Sequence, residues 1–307
     1  MIRRGLFAAA LATAAGGATP PAADAQTRLI HHHIAAEDTR DDYAVRLLRL
    51  GLDRSGLDYV LEMRREPMNH RRKVASLERG ELDVAWFGVT ADLERRLSPV
   101  YMPIYRGLLG HRVFIIRSDR QSAFNAVQTL EDLAALRAGQ GFDWGDVAIL
   151  RAAGLIVDEA SYEALFHNIR LGRIDYFPRA VHEALPELRG GRNSEGLLAL
   201  ERRLLLVYPF ASLFFTAPNR GDLADALSRG LRAAYDDGSF LALYESHPAI
   251  RSAIDETDME TRRRFVIANP ALSDRALAIP DAYWETPPRR DDPSAAASPL
   301  PPSRIGG

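Results

Sequence analysis

Three short strings hold the residues best suited to gripping a small polar molecule. Trp86-Phe87-Gly88-Val89-Thr90 supplies a ring, a flexible backbone and a hydroxyl at the end of a continuous apolar run, with Arg95 and Arg96 close behind. A guanidinium can hold a carboxylate through two parallel hydrogen bonds, so Arg95 is a candidate anion donor, although an exposed helix face accounts for it almost as well. Trp86 and Phe87 carry two readings as well, ligand wall or core, and core is the better account for at least one of them. Gly139-Gln140-Gly141-Phe142-Asp143-Trp144 combines glycines that permit close backbone approach with a helix start that favours an anion and a ring, Trp144, that can stack. Asp143 competes there, because a carboxylate capping the helix occupies the amides an anion would use. Asp175-Tyr176-Phe177-Pro178-Arg179 closes a strand-like run, and Tyr176 and Arg179 are candidates from it. Arg179 at a binding site would favour phosphate or carboxylate; the other reading pairs it with Glu183, one helical turn on. Arg112 is a further candidate beside Val113 to Ile116.

Other chemistries find little support. The chain has no cysteine, which removes disulfides, thiolate metal ligands and a cysteine nucleophile. His31-His32-His33 lies in a strand-like run, where neighbouring side chains point to opposite faces, so only His31 and His33 could share an ion and no third ligand is evident. His182-Glu183 lacks the second histidine of a zinc-protease helix. Gly191 to Gly196 fails the nucleophile-elbow pattern, with Arg192 where its first glycine would be, and no phosphate-binding loop occurs. Carboxylate pairs such as Asp41-Asp42 and Asp236-Asp237 fall at helix starts or turns, where the helix dipole explains them. No catalytic residue, metal or cofactor is therefore assigned. With 39 Lys+Arg against 41 Asp+Glu among 307 residues, the charge of -2 gives no electrostatic case for nucleic acid.

The elements that must position these strings alternate between strand and helix. Arg28 to Ile34 reads as a strand, Asp41-Asp42 open a helix that Gly56 can stop, and Leu57 to Met63 alternates at strand period. Asn69 caps a helix ending at Gly80, and Leu82 to Phe87 is an apolar run of the kind expected in a strand covered on both faces. A second series follows Val113 to Ile116. Thr129 and Asp132 form a capping box for a helix stopping at Gly139, and a second helix ends near Gly154. Leu155 to Val157 is strand-like, Ser161 caps the next helix, and Ile174 to Phe177 is again strand-like. Leu204 to Ala217 is apolar and β-prone but contains Pro209, which suits a segment passing between two domains. Asp222 then leads a helix, and Gly238-Ser239 separates it from another. Alternation of this kind argues for an α/β architecture with mainly parallel sheets.

The amino terminus reads as an address. Arg3-Arg4, the apolar Leu6 to Ala15 and the Ala23-Asp24-Ala25 site before Gln26 have the layout of a signal peptide over 1-25, too short to span a bilayer. Residues 286-307, rich in Pro, Ala and Ser, are expected to be a disordered tail.

The order of elements, together with Glu78 to Trp86, Pro103 to Ile116, Gly172 to Arg179, Tyr208-Pro209-Phe210 and Asp236 to Phe240, resembles the type II periplasmic solute-binding proteins, the amino-acid-binding-like class and its transporter substrate-binding relatives. The resemblance runs from about Arg28 to Trp284. It implies two α/β lobes joined by two crossing strands, with lobe 1 formed by 26-112 and 211-285, lobe 2 by 113-210, and crossings near His111 to Arg117 and Leu206 to Thr216. It further implies a periplasmic binding protein without catalytic activity, expected to be a monomer, with an enzyme on the same fold as the lesser alternative, since this fold occasionally hosts catalysis. Such a protein captures a small polar ligand, an anionic one included, by hinge closure, and serves an inner-membrane permease or sensor protein. Members of this class commonly place Arg three residues after the Thr that corresponds to Thr90, where this chain has Leu93. They also often place Asp about five residues after the position of Asp175, to bind an α-amino group, where this chain has Arg179 and Ala180. Neither position supports an ordinary zwitterionic amino acid.

Overall fold

The computed structural model describes residues 26–32, 41–193 and 195–285. The signal-peptide segment, His33 and the 286-307 tail lie outside the described residues. In chain order the elements begin with β1 (Thr27–His32), α1 (Asp42–Asp53), β2 (Tyr59–Arg64), α2 (His70–Glu78), β3 (Val84–Gly88), α3 (Ala91–Arg96) and β4 (Ser98–Val100). There follow β5 (His111–Arg117), α4 (Gln121–Asn125), α5 (Leu130–Ala134), β6 (Arg137–Gly141), α6 (Gly145–Ala152), β7 (Ile156–Ala160), α7 (Tyr162–Arg170), β8 (Tyr176–Ala180), α8 (Val181–Arg189), β9 (Leu198–Leu200) and β10 (Leu204–Val207). The chain closes with β11 (Ser212–Thr216), α9 (Gly221–Asp236), α10 (Ser239–Ser246), α11 (Pro248–Glu256), β12 (Arg263–Val266) and α12 (Asp274–Leu277).

Two sheets result. The first runs β2-β1-β3-β11-β4, with β1 parallel to β2 and β3, and β11 antiparallel to β3 and β4. The second runs β12-β10-β5-β8-β6-β7, with β9 also on β5. Local chemistry sets several boundaries. Asn69, Thr129 and Ser161 accept from the amides of Arg72, Asp132 and Ala164, and Asp132 returns the bond to complete a capping box. In the first lobe, α1 and α9 pack leucines that are fully buried, Leu47, Leu48, Leu227 and Leu231, each worth about 1.5–3 kcal/mol of transfer energy. Their backbones touch at glycines: a Cβ on Gly230 would fall 1.8 Å from the Gly51 carbonyl oxygen.

Among the segments that join the sheets, one ends at Gly110 before β5 and one spans Tyr208 to Ala211 between β10 and β11; two more lead into and out of β12. The Tyr208 amide donates to the Gly110 carbonyl at 3.0 Å, and a Cβ on Gly110 would lie 1.9 Å from the Tyr208 carbonyl oxygen. Pro209 sits in the gap where neither sheet requires its N–H.

Two expectations need correction. The helix after Thr129 ends at Ala134, not Gly139, because Arg137–Gly141 is strand β6. Gly139 is there for space: a Cβ would fall 2.3 Å from Ile174 Cδ1 and 2.8 Å from Leu165 Cδ2. Nor does 211-285 belong wholly with the first sheet. Strand β12 pairs with β10 in the second, and buried Arg262 fixes it by donating to the carbonyls of Thr257, Glu201 and Leu204 at 2.5, 2.6 and 3.0 Å. Helix α11, just upstream, packs on α8 of the second lobe.

Candidate ligand-binding site

The lobes meet at the carboxyl ends of their parallel strands, the usual ligand position in open α/β sheets. Thr90, just after β3, caps α3 by accepting from the Leu93 amide at 3.2 Å, and its methyl faces Gly145 at the start of α6. A Cβ on Gly145 would lie 3.0 Å from Phe210 Cζ and 3.1 Å from Thr90 Cγ2, so glycine lets the second lobe approach the first. At the rim Arg71 of α2 pairs with Asp143 of the β6–α6 turn at 2.9 Å. Asp143 takes a left-handed backbone with φ 61° and faces across the lobes; Trp144 occupies the N-cap position of α6 without a capping bond.

Behind this contact lies a buried charge network. Arg112 on β5 pairs with Asp146 in the first turn of α6, and the Tyr208 hydroxyl donates to the same carboxylate. Glu183 Oε2 lies 3.6 Å from Arg112 Nη1 and 3.0 Å from Arg179 Nη2, and it accepts from the Ala180 amide at 3.1 Å, back-bonding the start of α8. Arg179 also grips Glu187 with Nε and Nη2. Its guanidinium lies 5.0 Å from the Trp144 ring centre and 4.9 Å from that of Phe177, two cation–π contacts beside a ring pair whose own centres are 6.2 Å apart. Burial opposes the Arg179 charge, but Glu183 and Glu187 outweigh it and raise its pKa. Burial likewise opposes ionisation of Glu183; Arg179, His182 and Arg112 overcome it and bring the pKa to about 2. Burial drives the adjacent His182 down to about 4, so its ring is neutral at pH 7.

The neutral His182 ring stacks on Tyr105 with centres 4.1 Å apart, and Tyr105 lies 5.2 Å from Tyr43 of α1. Burial raises the Tyr105 hydroxyl pKa well above the usual, and the negative charges of Asp41 and Glu183, one from each lobe, raise it further. Asp41 accepts from Trp86 Nε1 at 3.1 Å. The Tyr43 hydroxyl and His182 Nδ1 are buried without a hydrogen-bond partner, two polar atoms beside the interlobe contact.

The sequence-derived residues divide accordingly. Trp86, Thr90, Arg112, Trp144 and Arg179 gather around the lobe junction. Arg95 lies on the outer surface, its side chain 68% exposed and paired with Asp92 at 3.0 Å. Tyr176 is fully buried in the second lobe, packed between Phe114 and Phe124, because its position on β8 faces the core behind the sheet. Sequence reasoning did not single out Asp146, Glu187, Tyr105 or Tyr43. Glu187 stands two helical turns after Arg179 and carried a signal; Arg112 and Asp146 are 34 positions apart and carried none. Of the histidine run, His31 and His32 are buried, and no group of three or more metal-ligating side chains occurs among the described residues.

No family model matches the chain, and no curated protein matches it in sequence. Solved structures do match. A periplasmic binding protein of Salmonella typhimurium with high arginine specificity superposes with TM-score 0.54 at 13% identity, covering 71% of this chain and 98% of that one. A structure from glutathione import in Streptococcus mutans gives 0.53 at 10% identity, covering 72% and 94%. A histidine kinase sensor domain similar to periplasmic binding proteins gives 0.52 at 16% identity, covering 71% and 94%. The chain has the type II periplasmic-binding-protein fold, with two α/β lobes; the expected crossing at His111 to Arg117 is instead strand β5 of the second sheet, and the passages beside it are the non-strand segments before His111 and at Tyr208 to Ala211. The polar residues described above lie at the facing carboxyl ends of the two sheets, where open α/β sheets generally take ligands.

Proposed function

We propose that the protein is an exported solute-binding protein that captures a small polar molecule between its lobes by hinge closure, for transport or sensing. The observation that carries this is the meeting of the lobes at the carboxyl ends of β3, β6 and β8, where Gly145 approaches Thr90 and Arg71 pairs with Asp143. Closure around a ligand converts binding energy into a shape a membrane partner can read. The similar structures are binding proteins or a sensor domain, which supports a reading without a bond-breaking step. Transport and sensing use the same closing lobes, and the likeness to a kinase sensor domain keeps the second reading beside the first.

Charge narrows the ligand. Arg112 and Arg179 face three carboxylates, Asp146, Glu183 and Glu187, so neither guanidinium is vacant for an anion. Glu183 remains 22% exposed. A ligand group that donates hydrogen bonds, a cationic one above all, suits this surplus of acceptors better than the anion expected from Arg179 alone. A thermal-shift screen of the purified protein against amines, organic acids, sugars and amino acids tests the reading. A ligand at about 100 times its Kd adds about 2.7 kcal/mol. Saturable stabilisation by one class supports capture, and none from any class counts against it.

A further inference from the structure

We propose a second binding site, on the outer side of the first lobe, for an amphipathic organic anion with an apolar body and a carboxylate head. A cavity of about 510 Å³ opens between α9, the segment after β4 and the α12 region, within the size range of small-molecule sites. None of the interlobe residues described above lines it. Its apolar base includes Met102, Ala224 and Ile279, each no more than 7% exposed.

The mouth carries the charge. Arg232 of α9 and Arg275 of α12 are exposed lining residues, and neither has a carboxylate within ion-pair distance among the described residues. Arg275 lies near the hydroxyl of Tyr101, where its charge opposes the rise that burial gives that group's pKa, and the hydroxyl donates to Glu94 at 2.8 Å. Asp225 is the one acidic residue of the lining itself, with Glu94 behind the Tyr101 hydroxyl and Asp236 beyond Tyr283, so the lining holds two guanidinium groups and one carboxylate. Unpaired arginines over an apolar base recognise a carboxylate by two-pronged hydrogen bonding, while the body of the ligand removes buried carbon from water. An inorganic anion would use only the rim. An uncharged lipid would use only the base.

Decanoate, below its micellar concentration, is the probe, with decanol and citrate as controls and isothermal calorimetry as the readout. Saturable decanoate binding with Kd of about 0.1–1 mM is expected, with each control at least about tenfold weaker. The double variant Arg232→Glu/Arg275→Glu should bind decanoate at least about tenfold more weakly at an unchanged melting temperature, both side chains being exposed. Ser228→Trp, which fills the cavity, should abolish binding, and Asp225→Asn should tighten it. Decanol binding as well as decanoate would overturn the proposal. So would decanoate affinity that survives the double arginine variant, which would put the ligand elsewhere, the interlobe cleft included. Absence of saturable decanoate binding to the unaltered protein would also overturn it.

Discussion

Arg179 holds Glu187 in a two-pronged ion pair, with Nε 2.8 Å from one carboxylate oxygen and Nη2 2.7 Å from the other, and the two side chains are 4% and 0% exposed. Two buried charges with good geometry recover their desolvation through each other, and loss of either partner leaves the other stranded. Arg179→Ala is therefore expected to destabilise the protein by about 3–5 kcal/mol, and Glu187→Ala by a similar amount. Replacing both by apolar residues, Arg179→Met with Glu187→Leu, should recover most of that loss. Urea denaturation measures all three. A fully stable Arg179→Ala protein that has lost ligand affinity would instead make Arg179 a ligand anchor.

Acid should destabilise the fold through His182. Its folded pKa of about 4 lies below the unfolded value of about 6.5, so the folded state favours the neutral ring. That contribution is fully present above pH 6.5 and is lost as pH falls toward 4, with an upper bound of about 3 kcal/mol. His70, pushed to about 4 mainly by burial, acts with the same sign in the same window. His182→Gln should flatten the stability profile between pH 6.5 and 4 without abolishing it, as followed by denaturation at stepped pH. A profile as steep as that of the unaltered protein would remove His182 from the account.

The local parts of this architecture were legible in the sequence because their signals are local. Asn69, Thr129 with Asp132, and Ser161 each announce a helix within four residues, and Pro209 marks the passage between sheets. Strand β6 was not legible, since Arg-Ala-Gly-Gln-Gly lacks the β-branched and aromatic residues of an isolated strand; tertiary packing requires its glycines, Gly139 against Leu165 and Ile174 and Gly141 against the Trp144 ring. The site divides the same way. Strand-end positions such as Trp86, Thr90 and Arg179 followed from the alternation of elements, but the neutralisation of Arg112 by Asp146 is a long-range contact that no spacing encodes. Tyr176 shows the limit of a two-residue period: a strand end near the cleft still turns every other side chain into the core.

Gly145 sets how closely the lobes approach. Gly145→Val adds a side chain against Phe210 and Thr90, so closure should be incomplete. A larger radius of gyration in the presence of ligand and at least about tenfold weaker binding are expected, a loss of about 1.4 kcal/mol or more. Small-angle scattering and calorimetry read the two effects. An unchanged ligand-bound radius would show that this contact does not limit closure.

The Arg71–Asp143 pair is exposed, with side chains 79% and 42% accessible, so it contributes at most about 1 kcal/mol to stability. Its position across the rim predicts a kinetic role. Arg71→Ala should leave the melting temperature within a degree or two, yet speed ligand release severalfold in stopped-flow experiments, with weaker dependence on salt. Equal release rates would assign the pair to the surface alone.

The central claim is that a small polar ligand draws the lobes together. The absence of cysteine allows a direct measurement: Arg95→Cys on the outer face of the first lobe and Leu171→Cys on the second, both exposed, accept a donor and an acceptor dye without competing thiols. Single-molecule energy transfer between them, titrated with the compound selected by the thermal-shift screen, should move from a broader, lower-transfer population to a narrow, higher-transfer one at the concentration that saturates binding. A ligand that binds and stabilises the protein while the transfer distribution stays fixed would contradict hinge closure.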